Sequence, residues 1–150
     1  PPVLREFGLA AALKWLGEHM SQRDLKVSVT VESDGLQVPD EQAVLLFQCV
    51  RELLLNVAKH AGTDQATVLM TRDNAFYRIE VRDTGAGFDV EEVRTHVNVH
   101  LQKFGLFSIR ERMKAFGGAL EIDTAPGKGT RALLRYLRGF VRSWDHTALM

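Results

Sequence analysis

The chain is poor in several things that would each have named a function. It has a single cysteine, Cys49, so it can build neither an internal disulfide nor a Cys-rich zinc site. It has no excess of either charge: 19 Lys and Arg face 19 Asp and Glu. Broad binding to nucleic acid or to an anionic membrane draws on a basic excess, so direct nucleic-acid binding is not expected. No apolar run approaches the ~20 residues of a membrane span, and no charged-then-apolar leader opens the chain. The segment therefore reads as cytoplasmic, in a soluble protein or as the cytoplasmic part of a membrane-bound sensor. There is no nucleophile-elbow motif and no paired-carboxylate signature. A dinucleotide fingerprint fails because Val90 stands where its third glycine belongs. A phosphate-binding loop fails because Gly129 splits Lys128 from Thr130 and no helix follows.

What is present is an ordinary globular balance over 150 residues, 45% hydrophobic and 25% charged, enough for one domain with a sizeable core. Leu9, Leu13, Leu16 and Met20 predict a helix over about 9–22. Leu25, Val27, Val29 and Val31 alternate as a strand does, and Asp34-Gly35 ends it with a turn. Pro39-Asp40-Glu41 starts a second helix carrying Val44, Leu45, Leu53, Leu54, Val57 and Ala61 on one broad face, and Gly62 stops it. Residues 66–72 and 75–82 read as a hairpin turning at Asp73-Asn74. A glycine-rich turn follows at Asp83–Asp89. Residues 90–104 show no clear period and read as a long loop with a short helix, of the size that often forms a functional lid. Leu106, Ile109, Met113 and Phe116 mark a third helix closed by Gly117-Gly118, and two strands flank the turn Ala125–Gly129. This order predicts an α+β two-layer sandwich, a mixed and largely antiparallel sheet with helices on one face.

Three places carry more polar residues or glycines than a core needs. On the second helix Glu52, Asn56, Lys59 and His60 stand at i, i+4, i+7 and i+8 and share a face. The plain reading is a solvated face. The functional one is a neutral Asn56 oxygen for magnesium, Lys59 for phosphate and Glu52 to orient a water or a proton. At the glycine-rich turn, Asp83 is acceptor-only and suits an adenine amino group rather than the guanine carbonyl. Gly85 and Gly87 would let a ligand come close to backbone, unless they are ordinary turn glycines. At the third place, Gly127–Thr130, the backbone reads as a tight hairpin whose Thr130 could touch a ligand at the strand mouth. Weaker signals have plain readings: His96 and His100 as loop surface, Cys49 as a core thiol, and Arg110, Arg112 and Lys114 as a solvated face. Trp15 and Trp144 form no recognisable box.

In order, these segments resemble the ATP-binding catalytic domain of sensor histidine kinases, in the superfamily of gyrase, heat-shock chaperones, histidine kinases and mismatch-repair proteins. "FQCVRELLLNVAKHAG" resembles the N box, "VRDTGAGFD" the G1 box, and "FGLFSIRERMKAFGGALEIDTAPGKGT" the G2 region with the strand turn after it. The Gly-Leu, Ile-Arg-Glu-Arg and Gly-Gly pattern is similar to the subfamily that partners helix-turn-helix response regulators. "PPVLREFGLAAALKWL" resembles that subfamily's segment between phosphoacceptor helices and catalytic domain. The match spans residues 1–138, with 1–8 as linker and 139–150 as a C-terminal tail.

The resemblance implies the Bergerat fold with ATP and Mg2+ as ligands. It implies Asn56 for the metal, Asp83 for the adenine amino group, and Gly85 and Gly87 close to the base. Lys59 and His60 fall on the phosphate side, with Gly105 and Leu106 at the end of a mobile lid. Glu52 is the candidate catalytic residue. One departure stands out: the family's extra glycines before Gly105 are replaced by Gln102-Lys103-Phe104, where Lys103 would substitute charge for backbone amides. None of the five histidines has the context of a phosphoacceptor, so the acceptor is expected upstream of Pro1 on a dimerisation domain. The implied partners are that domain and a cognate response regulator, the segment being monomeric and its parent a homodimer. Two alternatives are an anti-sigma-factor type serine kinase and a nucleotide-gated interaction module without transfer activity.

Overall fold

Leu9, Leu13, Leu16 and Met20 are all buried, as a single apolar stripe on a helix requires. The computed structural model describes residues 2–32, 38–89 and 105–139. The expected turn at Asp34-Gly35, the long loop over 90–104 with His96, His100 and Lys103, and Trp144 in the tail lie outside them. Helix α1 runs over Pro2–His19, seven residues earlier than its apolar period suggests. Gly8, at φ 84°, breaks it into two pieces, and a left-handed φ is a conformation that glycine adopts without penalty. A 3-10 turn, Met20–Arg23, ends at Asp24 and leads into strand β1, Lys26–Val31.

Helix α2, Asp40–His60, begins after Pro39 and carries Asp40 and Glu41 in its first turn and Lys59 and His60 in its last. Each pair has the charge its end of the helix dipole favours. Its buried face runs through Leu46, Cys49, Val50, Leu53, Leu54 and Val57. Val44 departs from the expected face: it is 42% exposed. Cys49 is the core thiol its position suggests, and burial pushes its pKa up to about 11, which leaves it un-ionised and inert.

The remaining elements are β2 (Gln65–Arg72), β3 (Phe76–Asp83), α3 (Leu106–Ala115), β4 (Gly118–Thr124) and β5 (Thr130–Leu137). The β2–β3 turn forms where Asp73-Asn74 predicts it, because Asp73 Oδ1 accepts from the backbone N–H of Ala75 (2.9 Å) and Phe76 (2.8 Å). The five strands of the described residues stand in the order β1-β2-β3-β5-β4. Among the described residues only β1–β2 is parallel, and the other three pairs are antiparallel. On β3, Tyr77, Ile79 and Val81 are buried while Arg78, Glu80 and Arg82 on the other face are not. Helix α2 packs on β3 and α1, and α3 packs on β4 and α2. The architecture is the α+β sandwich that the element order predicts. Its consequence for function is that Asp83 ends the central strand, between Ala66 of β2 and Thr130 of β5 and near the C-terminal end of α2.

Candidate functional site

The turn after β3 is tied down on three sides by short hydrogen bonds. Gly85 N donates to Asp83 Oδ1 at 2.8 Å, and Ala86 N donates to the Ala61 carbonyl at the end of α2 at 2.7 Å. Ala86 accepts in turn from Gly127 N at 2.6 Å, and Phe88 N donates to Thr124 Oγ1 at 3.2 Å. The glycines of this turn thus have a requirement of their own. A Cβ on Gly85 would lie 2.2 Å from the Ala61 carbonyl oxygen. A Cβ on Gly87, where φ is 64°, would lie 2.1 Å from the Ala125 carbonyl oxygen. Both clashes are with backbone, which cannot swing aside. Gly85→Ala and Gly87→Ala are each expected to lower stability by about 1–3 kcal/mol or more. Thermal melts of the chain without ligand check this; unchanged melting temperatures would contradict the packing.

The same connections shape a cavity under α2. Its apolar walls are Leu53 and Val57 of α2, Val81, Ile122 and Ala132 of the sheet, and Leu106 at the start of α3. Asn56, His60, Asp83 and Thr130 supply the polar lining. Asp83 is only 7% exposed. Burial raises its pKa above the usual carboxylate value, and backbone N–H groups of Gly85 and Thr130 pull the other way.

Donor bookkeeping fixes what Thr130 offers. Thr124 has one hydroxyl proton and directs it to the Gly129 carbonyl, 2.8 Å away. The 2.9 Å contact between the two threonine hydroxyls is therefore donated by Thr130. Its proton is used, so Thr130 Oγ1 can only accept from a ligand. An ionised Asp83 can likewise only accept, so the floor of the cavity selects a ligand edge that donates.

Of the residues singled out in the sequence, Asn56, His60, Asp83, Gly87, Leu106 and Thr130 line this cavity. Lys59 is exposed and is not part of the lining, although its spacing puts it on the same face. Gly85 lies behind the turn, against Ala61. Gly105 caps α3 at φ 65°, with the position of its missing Cβ 3.7 Å from Glu52 Oε2. Glu52 is partly buried and paired with Arg112, whose Nη2 lies 2.6 Å from its Oε2. Arg112 is thus not part of a solvated face, as its neighbours Arg110 and Lys114 are. Lys103 lies outside the described residues. Apart from Leu106, sequence reasoning does not single out the apolar walls as site residues, nor Thr124. A signal for part of them exists: Leu53, Asn56, Val57 and His60 stand at i, i+3, i+4 and i+7, one stripe of α2.

A family model, "Histidine kinase-, DNA gyrase B-, and HSP90-like ATPase", matches residues 41–138. The sensor histidine kinase YhcY of Bacillus subtilis (strain 168) is 34% identical over 130 residues, covering 87% of this chain and 32% of that protein. The sensor histidine kinase LiaS of the same organism is 35% identical over 132 residues, covering 87% of this chain and 34% of that protein. The chain thus spans about a third of the length of these relatives. Among solved structures, the blue-light activated histidine kinase of Erythrobacter litoralis EL346 superposes with a TM-score of 0.68 at 23% identity, over 85% of this chain and 41% of that one.

Proposed function

Because the chain belongs to the histidine kinase-, DNA gyrase B- and HSP90-like ATPase family, we propose that it binds ATP with magnesium and donates the γ-phosphoryl group to a histidine on a separate dimerisation domain. The process is two-component signal transduction, with a response regulator as the next acceptor. The parent protein acts as a homodimer, and this segment works in the cytoplasm. The observation that carries the nucleotide reading is Asp83, a nearly inaccessible carboxylate beside an acceptor-only Thr130 on the floor of an apolar cleft. An adenine ring suits such a cleft, with apolar faces for the walls and an amino group for the floor. Gly87 and the turn around it shape the base side. Gly85 acts from behind, by letting the turn close on α2.

Magnesium takes oxygen ligands and leaves most of its shell to water and phosphates, so one protein ligand suffices. A side-chain amide, which carries one such oxygen, stands in the cavity lining at Asn56. Asn56 is thus assigned to the metal. His60, Lys59, Gly105, Leu106 and Lys103 are assigned to the phosphate side, with Glu52 as the candidate catalytic carboxylate.

Asn56→Ala is expected to remove the magnesium-dependent part of ATP binding, about tenfold or more if one contact to a charged group is lost. The fold should survive, because Asn56 is only partly buried and lies outside the apolar core. Titrations of parent and variant with ATP, with and without magnesium, decide it. Superimposable curves would refute the assignment.

A further inference from the structure

Glu52 and Arg112 are sixty residues apart in sequence and meet at 2.6 Å. Glu52 stands one turn before the cavity-lining Asn56, and its Oε2 is 3.7 Å from the position of the missing Cβ of Gly105, the neighbour of cavity-lining Leu106. Arg112 reaches it from α3, and its Nε also donates to the Ser108 carbonyl on its own helix at 3.3 Å. The guanidinium is therefore held at both ends. Both side chains are partly shielded, at 29% and 38% exposure, so the pair is not a freely solvated one. Arg112 is also one of two last-turn cations of α3, with Lys114, and the buried residues Leu106, Ile109 and Met113 anchor the helix against the core.

We propose that Arg112 is a positioning residue that keeps the Glu52 carboxylate engaged and so withholds it from water beside the γ-phosphate. The inference rests on the ATP-binding reading above. In hydrolysis, a water oxygen forms a bond to the γ-phosphorus, and the bond from phosphorus to the β–γ bridging oxygen breaks with its electron pair leaving on ADP. The attacking water must lose a proton. A carboxylate within reach of that water takes it and raises the rate. A carboxylate oxygen turned onto a guanidinium is misdirected as a base, so bound ATP is kept for transfer to another acceptor. A single N–H contact and a positive charge are all that this role asks of residue 112.

The test measures phosphate release from ATP-Mg by the 150-residue chain, with ATP affinity measured alongside. Arg112→Ala and Arg112→Gln are expected to raise release by about tenfold or more, within the range that a positioned base supplies. ATP affinity should change little, since Arg112 is not part of the cavity lining. Arg112→Lys should restore slow release. Adding Glu52→Gln to Arg112→Ala should abolish the gain. Release at the parent rate in both Arg112→Ala and Arg112→Gln, with ATP still bound, would overturn the proposal. So would a gain that survives Glu52→Gln. No ATP binding by the parent would instead overturn the nucleotide reading itself.

Discussion

Asp83→Asn is expected to weaken ATP binding by about tenfold or more, and to do so without unfolding the chain. Asp83 Oδ1 is taken by the Gly85 N–H at 2.8 Å, and an asparagine carbonyl can keep that bond. The amide nitrogen then stands where Oδ2 was and presents a donor to the donating edge of adenine. A mismatched buried polar pair costs about 1–3 kcal/mol, which converts to roughly ten- to a hundredfold in affinity. The parent should prefer ATP over GTP by at least about tenfold on the same arithmetic, and the variant should narrow that gap. Competition binding with both nucleotides checks it; equal affinity of the parent for GTP would refute the role of Asp83.

Stability should move the other way. Burial raises the Asp83 pKa in the folded state, so the folded chain holds that proton more tightly than the unfolded one. Stability is then lost, not gained, as pH rises from the unfolded carboxylate value through the folded one. At neutral pH the ionised carboxylate is a cost that Asn does not carry. The ligand-free variant should therefore melt no lower than the parent at pH 7. As pH falls through the raised pKa, ATP affinity should weaken in the parent, and this component should be missing from Asp83→Asn. A variant that melts well below the parent would mean that Asp83 braces the turn rather than serving a ligand.

The second large effect concerns transfer. Phosphoryl transfer depends on an acceptor held in line with the γ-phosphorus, and positioning supplies most of the rate. His60, the histidine that lines the cavity, is at the C-terminal end of α2, where it is better placed to brace the site than to attack. The isolated chain should bind ATP yet form no acid-labile phosphohistidine. Supplied with the dimeric helical hairpin of its own parent as a separate protein, it should label that hairpin. A short covalent link gives a millimolar effective concentration, so a hairpin at about 10 μM should react roughly a hundredfold more slowly than in the intact protein. Radiolabelled ATP with the chain alone, and then with the hairpin, measures both. Stable label on the chain itself would relocate the acceptor to one of its own histidines. Label on a serine of a small partner would point to the anti-sigma-factor type of kinase.

The elements with long, regular periods are legible in the amino-acid sequence by itself. Helix α2 announces itself by Pro39-Asp40-Glu41 and its apolar stripe, and the β2–β3 hairpin by Asp73-Asn74, because capping, turn chemistry and face burial are local properties of a few neighbouring residues. Asn56, Asp83 and Thr130 are legible as candidates for the same reason: each breaks a local pattern with a polar group. The tertiary structure alone brings those three into one cavity, from a helix and two strands that are adjacent only in the sheet's order. It alone pairs β1 parallel to β2, since an alternating strand encodes which face is buried and not which neighbour it takes. It gives Gly85 and Gly87 close backbone contacts with Ala61 and Ala125, which no spacing rule reports. It also moves Arg112 out of an apparently solvated face and onto Glu52, because a charge pattern on one helix says nothing about the carboxylate that a second helix will bring beside it.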